Sequence, residues 1–236
     1  MTLLVLQSMD EVQTARQVLN QRKLSSLAGG WQKALARFGL NRDPIVGDHI
    51  KSWDVLKTIE FLEAHLDRNA SILDIGAYAS EILSVLHKLG FRHLAGVDLD
   101  ARLPSMPYSE SIDYRVANFM QTPFRDAQFD AVTAISVIEH GFDGEALAAE
   151  ISRLLRPGGL FIASFDYWPE KIVTDGIDMF GMSWTIFSRH EVERFIEIAA
   201  REKLKPTGPI HFEGAERPIS CLNRDYTFAW MVLQKK

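Results

Sequence analysis

A glycine turn between two acidic residues is the first feature of this sequence that indicates chemistry. The run Asp74-Ile75-Gly76-Ala77-Tyr78-Ala79-Ser80 follows a short apolar stretch and precedes an amphipathic one. A strand, a glycine turn and a helix form a site for polar or anionic groups, because the backbone approaches a ligand closely at glycine and the helix start presents free N–H groups. Asp98 comes 22 positions after Gly76. At the end of the next strand, a carboxylate accepts hydrogen bonds from ribose hydroxyls. The glycine turn and Asp98 together therefore indicate a nucleotide-like cofactor. Dinucleotide dehydrogenases have the same combination of features.

The elements that must position these residues follow a regular alternation. From about residue 50 onward, short apolar runs alternate with amphipathic stretches, which is typical of a parallel sheet covered by helices. The predicted strands are 71–75, His93–Val97, Ile112–Val116, Ala131–Ser136, Leu160–Phe165 and Tyr226–Leu233. The predicted helices are Trp53–Leu66, a helix after the glycine turn that stops at Gly90, Asp143–Leu155 and one that opens with a capping box at Ser188 and Glu191.

This pattern predicts an α/β fold with a Rossmann-like, mostly parallel, seven-stranded sheet and helices on both faces. One antiparallel strand is expected near residue 230. Residues 1–50 have a different sequence pattern, which is typical of a polar helix at first and of a loop afterwards. They contain no recognisable chemical motif. We therefore predict an N-terminal helical appendage or lid over residues 1–50 and a cofactor-binding domain over residues 51–236.

Composition excludes several classes of function. The formal net charge is −5, so the chain lacks the excess of positive charge that nucleic-acid binding requires. No nucleic-acid partner is therefore predicted. Cys221 is the single cysteine, so neither an intramolecular disulfide nor a thiolate metal cluster is available. No apolar run has the length of a membrane helix, and residues 2–6 are too short for a signal-peptide core. These features predict a cytoplasmic protein without a membrane partner; they leave the oligomeric state open.

Three further runs resemble one enzyme family. Residues 117–130 resemble the G-D-x-x-x-L-P-F-x-D-x-x-F-D run of class I S-adenosylmethionine-dependent methyltransferases of the type 11 group. Ser136-Val137-Ile138-Glu139-His140 resembles the run that follows the fourth strand of that family, and residues 155–160 resemble its L-[RK]-P-G-G-x turn. The resemblance extends from about Trp53 to Phe165. It implies transfer of a methyl group from S-adenosylmethionine to a small-molecule acceptor, with oxygen, nitrogen and carbon all open as the attacking atom.

The resemblance also implies roles for individual residues of the cofactor pocket. Asp74, Gly76 and Ala77 would shape the methionine end, and Asp98 would hold the ribose. The remaining positions would surround the adenine or underlie the cofactor: Leu99 beside the ring, Asn118 as acceptor from the adenine amino group, Phe119 as backbone N–H donor to the ring, and Ser136 at the end of the fourth strand.

The glycine turn departs from the family pattern. The family often has D-x-G-x-G-x-G, whereas this chain has Tyr78 and Ser80 where the second and third glycines would fall. A residue with a Cβ restricts the backbone there. A cofactor-binding regulator or partner subunit without catalysis therefore stays open as an alternative. A nicotinamide-dependent oxidoreductase is a further alternative, and the missing G-x-G-x-x-G argues against it.

Candidate catalytic residues follow the fourth and fifth strands. Some relatives bind a divalent ion with E-x-x-E-H, but Ser136 occupies the first position here, so no metal site is predicted. His140 is then either a base that faces the acceptor or a solvated residue at the head of a loop. If the acceptor must lose a proton, His140 is the first candidate for the base and Asp166 the second.

A group of aromatic residues follows the fifth strand, where open α/β sheets bind their ligands. Tyr167, Trp168 and Trp184 are the predicted acceptor contacts, with Phe180 and Phe187 nearby. Large apolar residues in a connection form either core or pocket wall. We predict a pocket wall, so that the segment 166–187 determines the choice of acceptor with help from the N-terminal appendage.

Overall fold

The computed structural model describes residues 2–27 and 44–236. Its strands are β1 (Leu3–Val5), β2 (Ser71–Ile75), β3 (His93–Asp98), β4 (Asp113–Val116), β5 (Phe129–Ile135), β6 (Leu155–Tyr167), β7 (Asp178–Met179), β8 (Met182–Ser183), β9 (Leu204–Pro206), β10 (Ile219–Cys221) and β11 (Arg224–Lys235). The helices in these ranges are α1 (Met9–Gln21), α2 (Ser52–His65), α3 (Ile82–Lys88), α4 (Gly144–Leu154) and α5 (Arg189–Arg201), with 3-10 turns at His49–Lys51 and Leu103–Ser105.

One sheet organises the structure, and its strand order is β1-β11-β6-β5-β2-β3-β4. The pairings among β2, β3, β4, β5 and β6 are parallel, and β11 runs antiparallel to both β6 and β1. The predicted Rossmann-like, mostly parallel sheet is therefore confirmed. Seven strands lie on this path, and the short β9 and β10 add to the sheet by pairing with β11. The sheet has nine strands rather than the predicted seven, because these short strands have too few residues to show an alternating pattern.

The core has one layer on each face of the sheet. Ile72 and Ile162 belong to a cluster with α1, α2 and α3, whereas their chain neighbours Leu73 and Phe161 belong to a cluster with α4 and α5. Successive residues of a strand point to opposite faces, so each central strand contributes to both layers. Helices therefore cover both faces, as the sequence predicts.

The N-terminal segment is only partly the helical appendage that its sequence predicts. Helix α1 is present and packs against α2. Residues 3–5, however, form the edge strand β1, in which Leu3 pairs with Met231 and Val5 with Ala229. A three-residue strand is too short to predict from alternation. Residues 28–43, which include the predicted loop at Gly29-Gly30 and most of that at 41–44, lie outside the described residues.

A buried ion pair joins α1 to the start of α3. Arg16 donates to both carboxylate oxygens of Glu81, at 2.8 and 3.1 Å, and its Nε donates to Ser52 Oγ at 2.8 Å. Glu81 also accepts the Ser26 N–H at 2.6 Å. Both charged side chains are at most 6% exposed. The pair therefore fixes the N-terminal segment against the helix that follows the glycine turn.

We expect Glu81→Gln to lower the free energy of unfolding by about 3–5 kcal/mol, because the change leaves the Arg16 charge buried without its partner. Urea denaturation at pH 7 measures this loss. The control is Glu193→Gln, which removes a partner from the exposed ion pair of Arg189 and Glu193 and is expected to cost less than about 1 kcal/mol. Equal losses in the two variants would contradict the assigned role of Arg16 and Glu81.

Candidate active site

A cavity of about 790 Å³ opens at the carboxyl ends of β2, β3 and β5. The strand order reverses between β2 and β5, and open α/β sheets bind ligands at this switch point. The cavity is lined by Gly47, Asp48, Lys51, Val55, Gly76, Tyr78, Ala79, Ser80, Glu81, Asp98, Leu99, Asp100, Arg102, Phe119, Ile135, Ser136, Val137, His140, Phe180, Gly181 and Met182. Six predicted site residues are among them: Gly76, Asp98, Leu99, Phe119, Ser136 and His140.

The ends of β2 and β5 touch at Gly76. A Cβ on this glycine would lie 2.2 Å from Val137 Cγ2, and its φ of +69° is in the left-handed region that favours glycine. Ser136 also has a positive φ, +54°, and its N–H donates to Ser164 O at 2.9 Å. A left-handed non-glycine residue at a ligand site is strained and is often functional. Ser136 Oγ is buried and has no hydrogen-bond partner.

Asp98 is fixed by the turn that it faces. Its Oδ2 accepts the Tyr78 N–H at 3.0 Å, and its Oδ1 accepts the Asp100 N–H at 2.9 Å. Each carboxylate oxygen keeps a further lone pair for a ligand hydroxyl. Tyr78, which replaces a glycine of the family pattern, thus shapes the turn through its backbone, and its ring packs against the Arg102 guanidinium at 4.6 Å.

Apolar residues flank the cavity beyond Asp98. Leu99 is 55% exposed, and Phe119 is buried beneath the cavity surface. Asn118 does not line the cavity, and its side-chain oxygen accepts the Met120 N–H at 2.9 Å. The side chain that was predicted to accept from an adenine amino group is therefore engaged in a local turn.

Asp74 and Ala77 lie behind the glycine turn rather than on the cavity surface. Asp74 Oδ1 accepts from the Thr133 hydroxyl at 2.6 Å, whereas its Oδ2 has no partner. Burial raises the pKa of Asp74 to about 7, against the lowering effect of hydrogen bonds from Thr133 and Ser80. Ala77 is fully buried, and its N–H donates to Val97 O at 3.1 Å. Both residues support the turn.

His140 lies at the other end of the cavity, beside Lys51 and the segment 180–182. Its ring meets the Phe180 ring edge-on with 5.2 Å between centroids, and its Nδ1 is buried without a partner. Burial lowers the pKa of His140, and the nearby Lys51 charge lowers it further against the opposing effect of Asp166. A neutral imidazole at the cavity wall is able to accept a proton.

The second predicted base, Asp166, is behind the cavity wall. Its Oδ2 accepts the Trp184 indole N–H at 2.8 Å, and its Oδ1 lies 3.8 Å from Lys51 Nζ. Asp166 is 4% exposed and does not line the cavity. The structure therefore places His140 at the surface of the site and Asp166 below it.

The predicted acceptor contacts Tyr167, Trp168 and Trp184 do not line the cavity. Tyr167 is fully buried and its hydroxyl donates to Phe212 O at 2.9 Å, while Trp184 is buried against Tyr226. Trp168 packs below the Arg217 guanidinium. From the same segment, Phe180, Gly181 and Met182 reach the cavity instead. Large aromatic residues occur both in protein cores and in pocket walls. The sequence alone therefore does not distinguish a core role from a pocket role for Tyr167, Trp168 and Trp184.

The N-terminal part of the chain contributes cavity residues that the motifs do not identify. Gly47, Asp48, Lys51 and Val55 form one wall, and the Gly47 N–H donates to Ala79 O at 2.8 Å. Sequence motifs did not single out Lys51, because its place beside His140 depends on the packing of α2. Within residues 2–27 and 44–236, no three His, Cys, Asp or Glu side chains converge as metal ligands. No helix in those ranges has the length and apolarity to cross a membrane.

Comparison with known proteins finds similarity to methyltransferases. A methyltransferase domain family matches residues 73–163. The ubiquinone biosynthesis O-methyltransferase of Xanthomonas oryzae pv. oryzae is 31% identical over 120 residues, which cover 47% of this chain and 50% of that protein. The chain thus spans about half the length of the curated relatives it matches.

Two solved structures show the same fold. The geranyl diphosphate C-methyltransferase of Streptomyces coelicolor A3(2) has a TM-score of 0.59 at 17% identity and covers 90% of this chain and 100% of its own. The 1,6-didemethyltoxoflavin-N1-methyltransferase of Burkholderia thailandensis has a TM-score of 0.55 at 20% identity and covers 78% of each chain. The fold is therefore that of the class I methyltransferases. Residues 73–163 match a methyltransferase domain family, and this match confirms the resemblance identified in the sequence.

We expect Trp184→Ala to lower the free energy of unfolding by about 3–5 kcal/mol, because a buried tryptophan leaves a cavity when it is truncated. Phe180→Ala is the matched variant from the same segment. Phe180 is 81% exposed, so its truncation should change stability by less than about 0.5 kcal/mol. Denaturation of both variants measures the difference, and a small loss in Trp184→Ala would argue against a core role.

We expect Asp74→Asn to reduce the pH dependence of stability. An unfolded aspartate ionises near pH 4, whereas the pKa of folded Asp74 is about 7, so the folded state retains a proton that the unfolded state releases. The free energy of unfolding should fall as pH rises from about 4 to about 7 and then level off. The variant should match the wild type at pH 4 and be more stable at pH 8 by on the order of 1–3 kcal/mol. Parallel stability curves for the two proteins would contradict the assigned pKa.

Proposed function

We propose that this chain is an S-adenosylmethionine-dependent methyltransferase that acts on a small-molecule acceptor. The observation that carries the proposal is the cavity at the switch point of the sheet, which is built largely from residues inside the matched methyltransferase domain. Relatives and structural neighbours include O-, N- and C-methyltransferases, and the two neighbours described above were solved with S-adenosylhomocysteine. The predicted cytoplasmic location, with no nucleic-acid partner, belongs to the same proposal.

The residues of the cavity fit this cofactor. Asp98 is held by two backbone N–H groups and keeps lone pairs for ribose hydroxyls. Leu99 and Phe119 offer apolar surface to a purine ring, and Gly76 lets the backbone approach a ligand without a Cβ. Ser136 Oγ is a buried polar atom without a partner under the same cavity. Asp74 and Ala77 would act indirectly by supporting the turn, and Asn118 would need to turn its amide away from Met120.

Methyl transfer requires mainly alignment of the acceptor, because S-adenosylmethionine supplies a methyl group that is already activated on a positively charged sulfur. The chain then has to hold the acceptor, exclude water and receive any proton that it loses. Phe180, Met182 and Val55 provide an apolar wall at the acceptor end, and Lys51 and His140 provide the polar groups there. Neutral His140 is the base candidate at the cavity wall, with Asp166 behind Lys51.

We expect Asp98→Ala to weaken the binding of S-adenosylmethionine and of S-adenosylhomocysteine by on the order of 1.5–3 kcal/mol, the usual contribution of hydrogen bonds to a charged group. Isothermal titration calorimetry measures both affinities. Asp113→Ala on β4 is the control, because that carboxylate is exposed and lies outside the cavity lining. Failure of the wild type to bind either compound would overturn the proposal, and unchanged affinity in Asp98→Ala would remove Asp98 from the ribose site.

Turnover separates an enzyme from the alternative of a cofactor-binding regulator. The wild type should release S-adenosylhomocysteine from S-adenosylmethionine when a panel of phenols, amines and activated carbon acids is offered as acceptors. Binding without turnover on any member of the panel would favour the regulator. Trimming Phe180 to Ala should then lower turnover while the cofactor affinity stays within about 0.5 kcal/mol, since separate sites act nearly independently.

A further inference from the structure

Three buried carboxyl groups lie together behind the acceptor end of the cavity. They are Asp54 on α2, Glu139 in the connection after β5, and Asp166 on β6, and none is more than 4% exposed. We call them the carboxylate cluster. Each has one oxygen without a hydrogen-bond partner: Asp54 Oδ1, Glu139 Oε2 and Asp166 Oδ1. A carboxyl group buried in this way is costly when charged, so the cluster needs either cations or protons.

Lys51 is the cation that faces the cluster, and it also lines the cavity. Its Nζ lies 3.8 Å from Asp166 Oδ1 and 3.6 Å from the centroid of the Phe228 ring. Its charge lowers the pKa of both Asp54 and Glu139. One ammonium group cannot balance three buried carboxylates, so the cluster keeps protons at neutral pH.

The pKa values of the carboxyl groups agree with their burial around a single lysine. Burial raises the pKa of Asp54 to about 7, although Lys51 and a hydrogen bond from Ser164 lower it. Burial and the neighbouring Asp166 raise the pKa of Glu139 well above its usual value. The other titratable groups that face the cluster are neutral at pH 7: burial raises the pKa of Tyr226 and lowers that of His140. The cluster therefore exchanges a proton near neutral pH.

A short connection links the cluster to the cavity. Asp54 Oδ2 accepts from Ser164 Oγ at 3.0 Å, and Ser164 O accepts the Ser136 N–H at 2.9 Å. Ser136 lines the cavity, and its hydroxyl is near enough to Asp54 to favour the charged form of that carboxyl. Lys51, whose Nζ lies 3.8 Å from Asp166 Oδ1, and His140 also line the cavity. The cluster is thus in contact with residues that an acceptor would touch.

We propose, on the basis of the proposed function, that the carboxylate cluster is the proton store of the reaction, with Asp54 as the group that takes up the proton of the acceptor. Methylation of an O–H or N–H group forms a bond from that atom to the methyl carbon, and the sulfur keeps the electron pair of the bond that breaks. The hydrogen of the acceptor leaves as a proton. His140 or Ser136 passes it from the cavity wall, the ionised Asp54 carboxylate binds it, and solvent receives it after the products leave.

The store has a consequence that can be measured without an acceptor. A positive charge in the cavity favours the ionised form of nearby carboxyl groups. S-adenosylmethionine carries that charge on sulfur, and S-adenosylhomocysteine lacks it. Binding of the charged compound should therefore displace a proton from the cluster, whereas binding of the uncharged product should leave the proton in place.

The experiment is titration calorimetry of each compound at pH 7 in two buffers of different ionisation enthalpy, which gives the number of protons exchanged on binding. We expect S-adenosylmethionine to release on the order of half a proton more than S-adenosylhomocysteine, because a group with a pKa near the working pH is about half ionised. Asp54→Asn, which retains an acceptor for Ser164, should abolish this difference. Glu60→Gln removes an exposed charge from the same helix and should preserve it.

Each result has one meaning. If neither compound binds the wild type, the proposed function fails. If both bind with the same proton count, the proton store is overturned while the methyltransferase proposal stands. A difference that persists in Asp54→Asn, or that disappears in Asp74→Asn instead, assigns the proton to another group and overturns the role of Asp54. If melting curves show that Asp54→Asn does not fold, Ser164→Ala replaces it: loss of the hydrogen bond that favours the ionised carboxyl raises the pKa of Asp54, so the pH at which the two compounds differ most should rise, and an unchanged pH profile overturns the role of Asp54.

Discussion

The site depends on one close contact between two strand ends. Gly76 at the end of β2 and Val137 after β5 approach so closely that a Cβ on the glycine would overlap the valine side chain. Both connections reach this contact through left-handed backbone, at Gly76 and at Ser136. Because the strand order reverses between these strands, the two connections diverge beyond the contact and leave the cavity between them.

The positions of the other site residues follow from that contact. The turn beyond Gly76 carries Tyr78, whose N–H fixes Asp98, and the chain beyond Val137 carries His140 into contact with Phe180. The wall from Gly47 to Lys51 then closes the third side, and it is joined to the glycine turn by the bond between the Gly47 N–H and Ala79 O. The half of the cavity at Asp98 and the half at His140 are therefore joined through the glycine turn, and a change at Gly76 would disturb both halves.

Charge is distributed unevenly between these halves. At the glycine turn, both oxygens of Asp98 are hydrogen-bonded and one buried carboxyl, Asp74, has an oxygen without a partner, whereas three such carboxyl groups surround one ammonium behind His140. Unsatisfied buried oxygens reduce stability, and such groups concentrate where a fold has a chemical task. The wall behind His140 thus holds more of the unpartnered buried carboxyl oxygens than the glycine turn does.

The sequence predicts the half of the cavity at the glycine turn better than the half at His140, for a physical reason. Gly76 and Ser136 directly follow buried strands and Asp98 ends one, so the strand pattern alone places them at one edge of the sheet. Lys51 and Asp54 reach the site only because α2 packs across the sheet, and no local pattern encodes that packing. Trp184 was misplaced for the same reason, since a large apolar residue in a connection fits a core as well as a pocket. The strand β1 was missed because three residues carry too little periodicity.

The position of β11 has a consequence for how the chain is made. This strand lies between β6 and β1, so Leu3 and Val5 find their partners only at Met231 and Ala229. During synthesis, β1 emerges long before β11 and stays without this neighbour until β11 has left the ribosome. The edge of β6 that pairs with β11 also stays open from its synthesis until β11 emerges. Contacts between residues so distant along the chain slow folding, and unpaired apolar strand edges promote aggregation in the meantime. Closure of this side of the sheet thus depends on β11, because without it neither β1 nor the edge of β6 has a partner.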